Sequence, residues 1–241
     1  MYQKQKHCDP LDPADACRGD CWDHVALDPE HRLVVSVLVG KRTAEETQEV
    51  VEDFHRRTEG RPMNLITSDE YNAYEGAIRR AYGQTVTPPR TGRPGRPRQP
   101  YRVPPESLIY ATVDKRRVRG RVVEIVCRVI FGTMAAVLAA WGRSRVSRAI
   151  NTAFVERHNA RDRHRTARKA RRTYCFSKDW EVHRAMTYFT MDSYNFCWPV
   201  RTLRVQVEHG YWRRRTPAIA AGLADHIWSM SERLSGKAVR P

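Results

Sequence analysis

Two carboxylates and a run of arginines carry the residue types that chemistry needs. In Asn151 to Ser177, NTAFVERHNARDRHRTARKARRTYCFS, Glu156 leads into eight Lys or Arg and one acid, Asp162, between Arg157 and Arg172. No Gly or Pro interrupts Asn151 to Trp198, so the stretch is expected to be helical, with Asn151 or Thr152 as its cap. On such a helix Glu156, Asn159 and Arg163 share one face, which puts a potential metal-binding carboxylate beside groups that suit phosphate. The competing reading is a solvated basic helix whose Glu156 moderates repulsion. The second carboxylate is Asp69. A short apolar strand, Met63 to Thr67, runs straight into Ser68-Asp69-Glu70, and the C-terminal ends of strands are where open α/β sheets place their sites. Asp69 could equally cap the helix that follows.

The elements that must hold these residues read as mixed α/β. Cys21 to Leu27 and Leu33 to Val39 form a hairpin across Asp28-Pro29-Glu30-His31-Arg32, and LVVSVLV is apolar enough to be covered on both faces. Thr43 with Glu46 caps a helix to about Arg57 whose stripe is Thr47, Val50, Val51 and Phe54. After the Asp69 strand, a helix from about Tyr71 carries Tyr74, Ile78 and Tyr82 on one face. Leu108 to Val113 and Val122 to Ile130 are two further strands. Thr133 caps a helix to Trp141, a helix spans Ser177 to about Phe196, and a last one ends at Leu234.

Composition narrows the partner. The chain has 241 residues, with 43 Lys and Arg against 27 Asp and Glu, a formal charge of +16 and a pI near 10.1. That surplus favours a polyanion, nucleic acid first. No apolar run approaches the roughly 20 residues that span a bilayer, and the N-terminus lacks the apolar core of a signal peptide, so a cytoplasmic, nucleoid-associated protein with no membrane partner is expected. Two basic segments add candidates. Val86 to Pro105 holds seven prolines and five arginines and is expected to be an extended loop; within it Arg93 and Arg96 in GRPGRP are similar to an AT-hook that enters the minor groove, or belong to a plain basic linker. Lys115, Arg116 and Arg117 lie in a basic hairpin tip, Asp114 to Arg121, suited to phosphate contacts or simply solvated. Cys8, Cys17, Cys21 and His24 have a loose spacing for zinc; free thiols are the expected state.

Three segments, WDHVALDPEHRLVVSVLVGKRT, LITSDEYNAY and INTAFVERHNARDRHRTARKARRTYCFSKD, together resemble the insertion-sequence-1-type transposases of the RNase H-like superfamily, whose catalytic residues are Asp, Asp and Glu. The resemblance runs from Cys21 onward and includes the tail WRRRTPAIAAGLADHIW. It implies an RNase H-like mixed sheet flanked by helices over 21–198, with the 86–107 loop inserted, an irregular lead-in over 1–20 and a basic tail over 199–241. Asp69 then corresponds to the second catalytic aspartate and Glu156 to the glutamate, both ligands of Mg²⁺ or Mn²⁺. Arg157, His158, Asn159, Arg161 and Arg163 would hold phosphates of double-stranded DNA, at transposon ends and target, in a homo-oligomer when active. The first aspartate of the family lies on a central first strand that Met1 to Lys6 would follow, so this chain is expected to lack that strand. Asp20 and Asp23, at the start of the next strand, are weighed as substitutes, though neither lies in the middle of a central strand. The alternative function is a non-catalytic DNA-binding remnant or regulator of transposition.

Overall fold

One carboxylate shapes the first turn. Asp28 accepts hydrogen bonds from the Glu30 backbone at 2.8 Å and from His31 Nδ1 at 2.5 Å, folding β1 (Trp22–Asp28) antiparallel onto β2 (Leu33–Gly40). Arg32, the last residue before β2, takes a left-handed φ of 57°, uncommon for a residue with a Cβ. The structure is a computed structural model that describes residues 7–9, 11–15, 19–89, 98–170, 174–207 and 210–235. It divides into two compact units: Met1–Arg42 with Ala153–Pro241, and Thr43–Thr152. The class is mixed α/β, as expected.

In the first unit, the hairpin packs with α4 (Ala153–Arg165) and α5 (Trp180–Cys197), followed by the short helices α6 (Pro217–Ala220) and α7 (Met230–Leu234). Val34, Met191, Tyr194, Val200 and Leu203 form its core, with Val25, Leu27 and Val37 against them. Strand β2 is buried or half-buried along its whole length, as its apolar run requires. Its outer edge finds a partner in a side chain: Asn195 accepts from the Val34 N–H at 3.0 Å and donates to the Val34 carbonyl at 2.8 Å. The amide thus stands in for a neighbouring strand and satisfies two backbone groups that burial would otherwise leave costly.

The expected long helix stops at Arg165. Thr166 is extended at φ −114°, ψ 103°, its hydroxyl turned onto Asp162 Oδ1 at 3.4 Å, and Lys169 Nζ donates to Asp162 Oδ2 at 2.7 Å. The same ammonium lies 3.0 Å from Asp23 Oδ2, whose other oxygen faces His183 Nε2 at 3.3 Å and the Thr187 hydroxyl at 3.4 Å. The Lys169 side chain is 6% exposed and that of Asp162 9%, so the network lies largely out of water. Helix α5 starts later than Ser177 because Asp179 is its cap, accepting from the Val182 N–H at 3.1 Å. The single helix expected to end at Leu234 is instead two short ones, interrupted at Gly222, whose φ is +76°.

In the second unit, Thr43 caps α1 (Ala44–Arg57) by accepting from the Glu46 N–H, and Thr47, Val50 and Val51 are its buried stripe. Strand β3 (Ile66–Asp69) pairs in parallel with β6 (Tyr110–Val118), and β6 pairs antiparallel with β7 (Arg121–Phe131), a mixed three-stranded sheet in the order β3-β6-β7. Helix α2 (Ala73–Tyr82) lies between β3 and the small ladder of β4 (Gln84–Val86) with β5 (Tyr101–Val103). Part of the expected proline-rich loop is therefore strand. Helix α3 (Met134–Arg143), capped by Thr133, sets Val137 and Ala140 against Ile109, Ala111, Val113 and Ile150. Strands β6 and β7 extend farther than expected: what read as an eight-residue tip is paired strand, and only Arg119 (φ 49°) and Gly120 (φ 79°) turn, the left-handed pair that a two-residue hairpin requires.

Removing one member of a buried ion network leaves the others unpaired. Lys169→Met is expected to lower unfolding free energy by roughly 3–5 kcal/mol, read as a lower urea midpoint at unchanged slope; a loss below about 1 kcal/mol would place these groups in effectively aqueous surroundings.

Candidate functional site

Helix α4 sorts its charges by face. Glu156, in the first turn where the helix dipole favours an anion, and Arg163 are exposed, with Asn159 half-buried beside them. Arg157, Arg161 and Arg165 follow one another at i, i+4 and i+8 on a second stripe. His158 and Asp162 point inward and are buried.

The arginine stripe is held by aromatic faces. Arg165 Cζ lies 3.5 Å from the centroid of Trp198 and 5.9 Å from that of Tyr194; Arg161 Cζ is 5.9 Å from Tyr194 and its Nη1 donates to the Tyr194 hydroxyl at 3.4 Å. Arg32 joins them from the hairpin turn, its Cζ 4.2 Å above the Phe154 ring. Burial, and then the charges of Arg157 and Arg161, pull Arg32 below its ordinary pKa; burial, and then Arg161, do the same for Arg165. Guanidinium groups stay charged regardless, so their crowding records a concentrated positive field. Stacking leaves the guanidinium edges as donors while the ring orders the plane. Donors so arranged have the chemistry to pair with an anion such as a phosphodiester. Of its members, Arg157 and Arg161 were expected; Arg165 was missed although its i+4 spacing was legible, and Arg32, far off in sequence, carried no signal.

His158, grouped by sequence with the phosphate contacts, is corrected: it is 4% exposed. Its Nε2 lies 3.1 Å from Met191 Sδ and its ring packs edge-on to Tyr194 at 4.7 Å. Burial is the main reason its pKa falls to about 4, so near neutrality it is an uncharged packing group. Arg163 sits on the Glu156 face, apart from the stacked arginines. Asp23, a possible substitute for a missing carboxylate, is committed: burial works to raise its pKa, but the hydrogen bond with His183 and the Lys169 ammonium hold it below its ordinary value.

Asp69 ends β3, exposed, opposite Val113 of β6. It does not cap α2, whose cap position is Asn72. Beside it Ser68 Oγ donates to the Asp69 carbonyl at 2.7 Å and lies 2.7 Å from the Tyr110 hydroxyl. Burial, with the charges of Asp69 and Glu75, pushes Tyr110 up to about 12, leaving its hydroxyl protonated as a donor. Glu70 is paired with Arg128. Asp69 and Glu156 belong to different units, and among the described residues no three His, Cys, Asp or Glu side chains are grouped to hold a metal ion.

Arg116 is engaged with Glu124 at 2.8 Å and Asp114 at 3.7 Å, whereas Arg117 is exposed and Lys115 half-buried. Arg93, Arg96 and Cys17 lie outside the described residues. His24 Nε2 lies 2.9 Å from the Lys41 carbonyl. No described helix is long and apolar enough to cross a membrane. No protein-family model, curated protein or solved structure matches the chain.

The His158 environment has a signed pH dependence. Because its folded pKa is depressed, the unfolded chain takes up a proton between pH of about 6.5 and about 4 that the folded chain refuses, so stability is full above that window and falls through it, by up to about 3 kcal/mol. Asp23, also depressed, adds its loss only below the ordinary carboxylate range. Urea midpoints of His158→Phe should decline less than those of the parent between pH 7.5 and 4.5; equal slopes would sink the assignment.

Proposed function

We propose that this protein is a DNA strand transferase of the insertion-sequence-1-type transposases, with an RNase H-like catalytic architecture. The observation that carries the reading is α4 itself, which presents an exposed carboxylate, Glu156, on the helix whose neighbouring stripe stacks Arg161 and Arg165 on Tyr194 and Trp198. One side of such a helix suits a cation, and the adjoining side suits phosphates. The order hairpin, helix, acidic strand, helix agrees with the superfamily, as does Asp69 at the end of a strand in a mixed sheet.

By the resemblance, Asp69 and Glu156 would each offer a carboxylate to Mg²⁺ or Mn²⁺. Both are exposed, and their hard carboxylate oxygens are the donors such ions prefer. When bound, the ion supplies Lewis acidity that activates water or a 3′-hydroxyl and steadies the leaving oxygen. The chain's own residues orient the substrate: Arg32, Arg157, Arg161 and Arg165 fix phosphodiester oxygens of double-stranded DNA at transposon ends and target. The active species is taken to be a homo-oligomer, as pairing two DNA ends requires.

A second reading, DNA binding without chemistry, is favoured by Asp23, whose carboxylate is held by Lys169 and His183 and offers nothing to a metal. The two readings separate in a strand-transfer assay on the terminal-repeat DNA of the element. The enzyme reading expects Mg²⁺-dependent cleavage that Asp69→Ala or Glu156→Ala each reduces on the order of a hundredfold or more, with DNA affinity retained. Arg32→Ala and Arg165→Ala should each weaken DNA binding and flatten its salt dependence by about one contact. Binding without metal-dependent cleavage would leave the second reading; cleavage indifferent to both carboxylates would reject their assignment.

A further inference from the structure

Two tryptophans of the first unit lie at its surface, each under a guanidinium. Arg165 Cζ is 3.5 Å from the Trp198 centroid and Arg204 Cζ is 4.2 Å from that of Trp212, yet Trp198 and Trp212 remain 38% and 51% exposed. Backbone pairing connects the two. Trp198 stands two residues before Val200, whose N–H donates to the Arg215 carbonyl at 3.0 Å, and Arg215 Nε donates to the Leu203 carbonyl at 2.7 Å. Beyond Leu203, β8 (Val205–Gln206) pairs antiparallel with β9 (Trp212–Arg213), setting Gln206 opposite Trp212. The path from Trp198 through Val200 and Arg215 to Trp212 therefore spans no more than roughly 25 Å. The segment is also cationic. Arg201 to Arg215 holds five arginines against one acid, Glu208, which lies outside the described residues. Arg201, Arg204, Arg213 and Arg214 are exposed. Burying a tryptophan is strongly favourable, so rings left open among arginines suit a partner that brings both flat apolar faces and negative charge.

We propose that Trp198 and Trp212 are stacking stations for the bases of single-stranded DNA, with the surrounding arginines on its phosphates. Inside a duplex each base has both faces covered by its neighbours, so only an unpaired strand can lay a base on an indole ring. Stacking on aromatic side chains beside a cationic track is how proteins hold single strands whatever their sequence. The arginine already seated on each ring fixes the plane of the aromatic group and adds its own attraction to the base. The stripe of Arg157, Arg161 and Arg165 on α4 ends against Trp198. A duplex whose phosphates lie on that stripe is thus continuous with an unpaired strand that runs on toward Trp212. The inference rests on the DNA-binding reading above but not on catalysis, and it names the strand state that the two rings select.

The test is fluorescence anisotropy of the full chain across a salt series on four labelled probes of about 20 nucleotides or base pairs: oligothymidylate, an abasic strand, oligouridylate and a mixed-sequence duplex. The abasic strand keeps the phosphates and lacks the bases, so it is expected to bind on the order of a hundredfold more weakly than oligothymidylate. Trp198→Ala and Trp212→Ala should each weaken oligothymidylate on the order of tenfold at unchanged salt slope, with a severalfold smaller loss on the duplex. Trp198→Phe and Trp212→Phe, which keep a ring, should recover most of that loss. Arg204→Gln should lower the single-strand salt slope by about 0.7, the signature of one phosphate contact. Equal affinity for the abasic strand, equal losses on strand and duplex, losses that phenylalanine does not relieve, or a preference for oligouridylate would overturn the stacking assignment while duplex binding stands. Affinity for neither strand nor duplex would overturn the DNA reading together with it.

Discussion

The ammonium of Lys169 is the point on which the first unit depends. A single buried cation is shared by Asp162, on the inner side of α4, and Asp23, near the start of β1, and Asp23 is shared in turn with His183 of α5. Three elements that are distant in sequence are thereby held by charges that none can neutralise alone. In a low-dielectric interior an unpaired member is far more costly than a paired one is favourable, so the network penalises every arrangement except the one that satisfies all of it. It also ends α4: the turn back through Thr166 is what delivers Lys169 to Asp162.

Burying that side of α4 decides what the other sides can do. With His158 and Asp162 inside, the Arg157, Arg161 and Arg165 stripe sits at the boundary of the core, where Tyr194 and Trp198 can order it, and Glu156 is left outward with Arg163. Tyr194 serves twice, as a member of the apolar core and as the platform for two guanidinium groups. The arginine patch is thus an edge of the hydrophobic core, and its cations are stationed by the packing that stabilises the unit.

The second unit solves a different problem. One part of its core is a face of β6 against α3, a face that continues along the β6–β7 ribbon, while α1 and α2 bury Val50, Val51, Ala77 and Ile78. Arg119 and Gly120 allow the strands to pair to their last residues because both accept a left-handed backbone, whereas a longer tip would have dissolved the end of the ribbon into a loop.

Much of this was legible in the chain. Thr43 and Thr133 announce the starts of α1 and α3 because a cap acts on backbone groups two or three residues away, and the apolar run of β2 announces its burial. The α/β class, the basic character and the two candidate carboxylates needed no coordinates. What sequence could not decide were matters of orientation and long-range partnership. His158 lies amid arginines yet points inward to Met191; Arg32 is more than a hundred residues from the stripe it joins; and the helix stops at Arg165 with no Gly or Pro to stop it. Local sequence governs backbone hydrogen bonds, caps and periodicity, which close over a few residues. The tertiary structure alone decides which polar side chain loses water and which finds a partner across the chain, because desolvation and ion pairing depend on neighbours that only folding supplies.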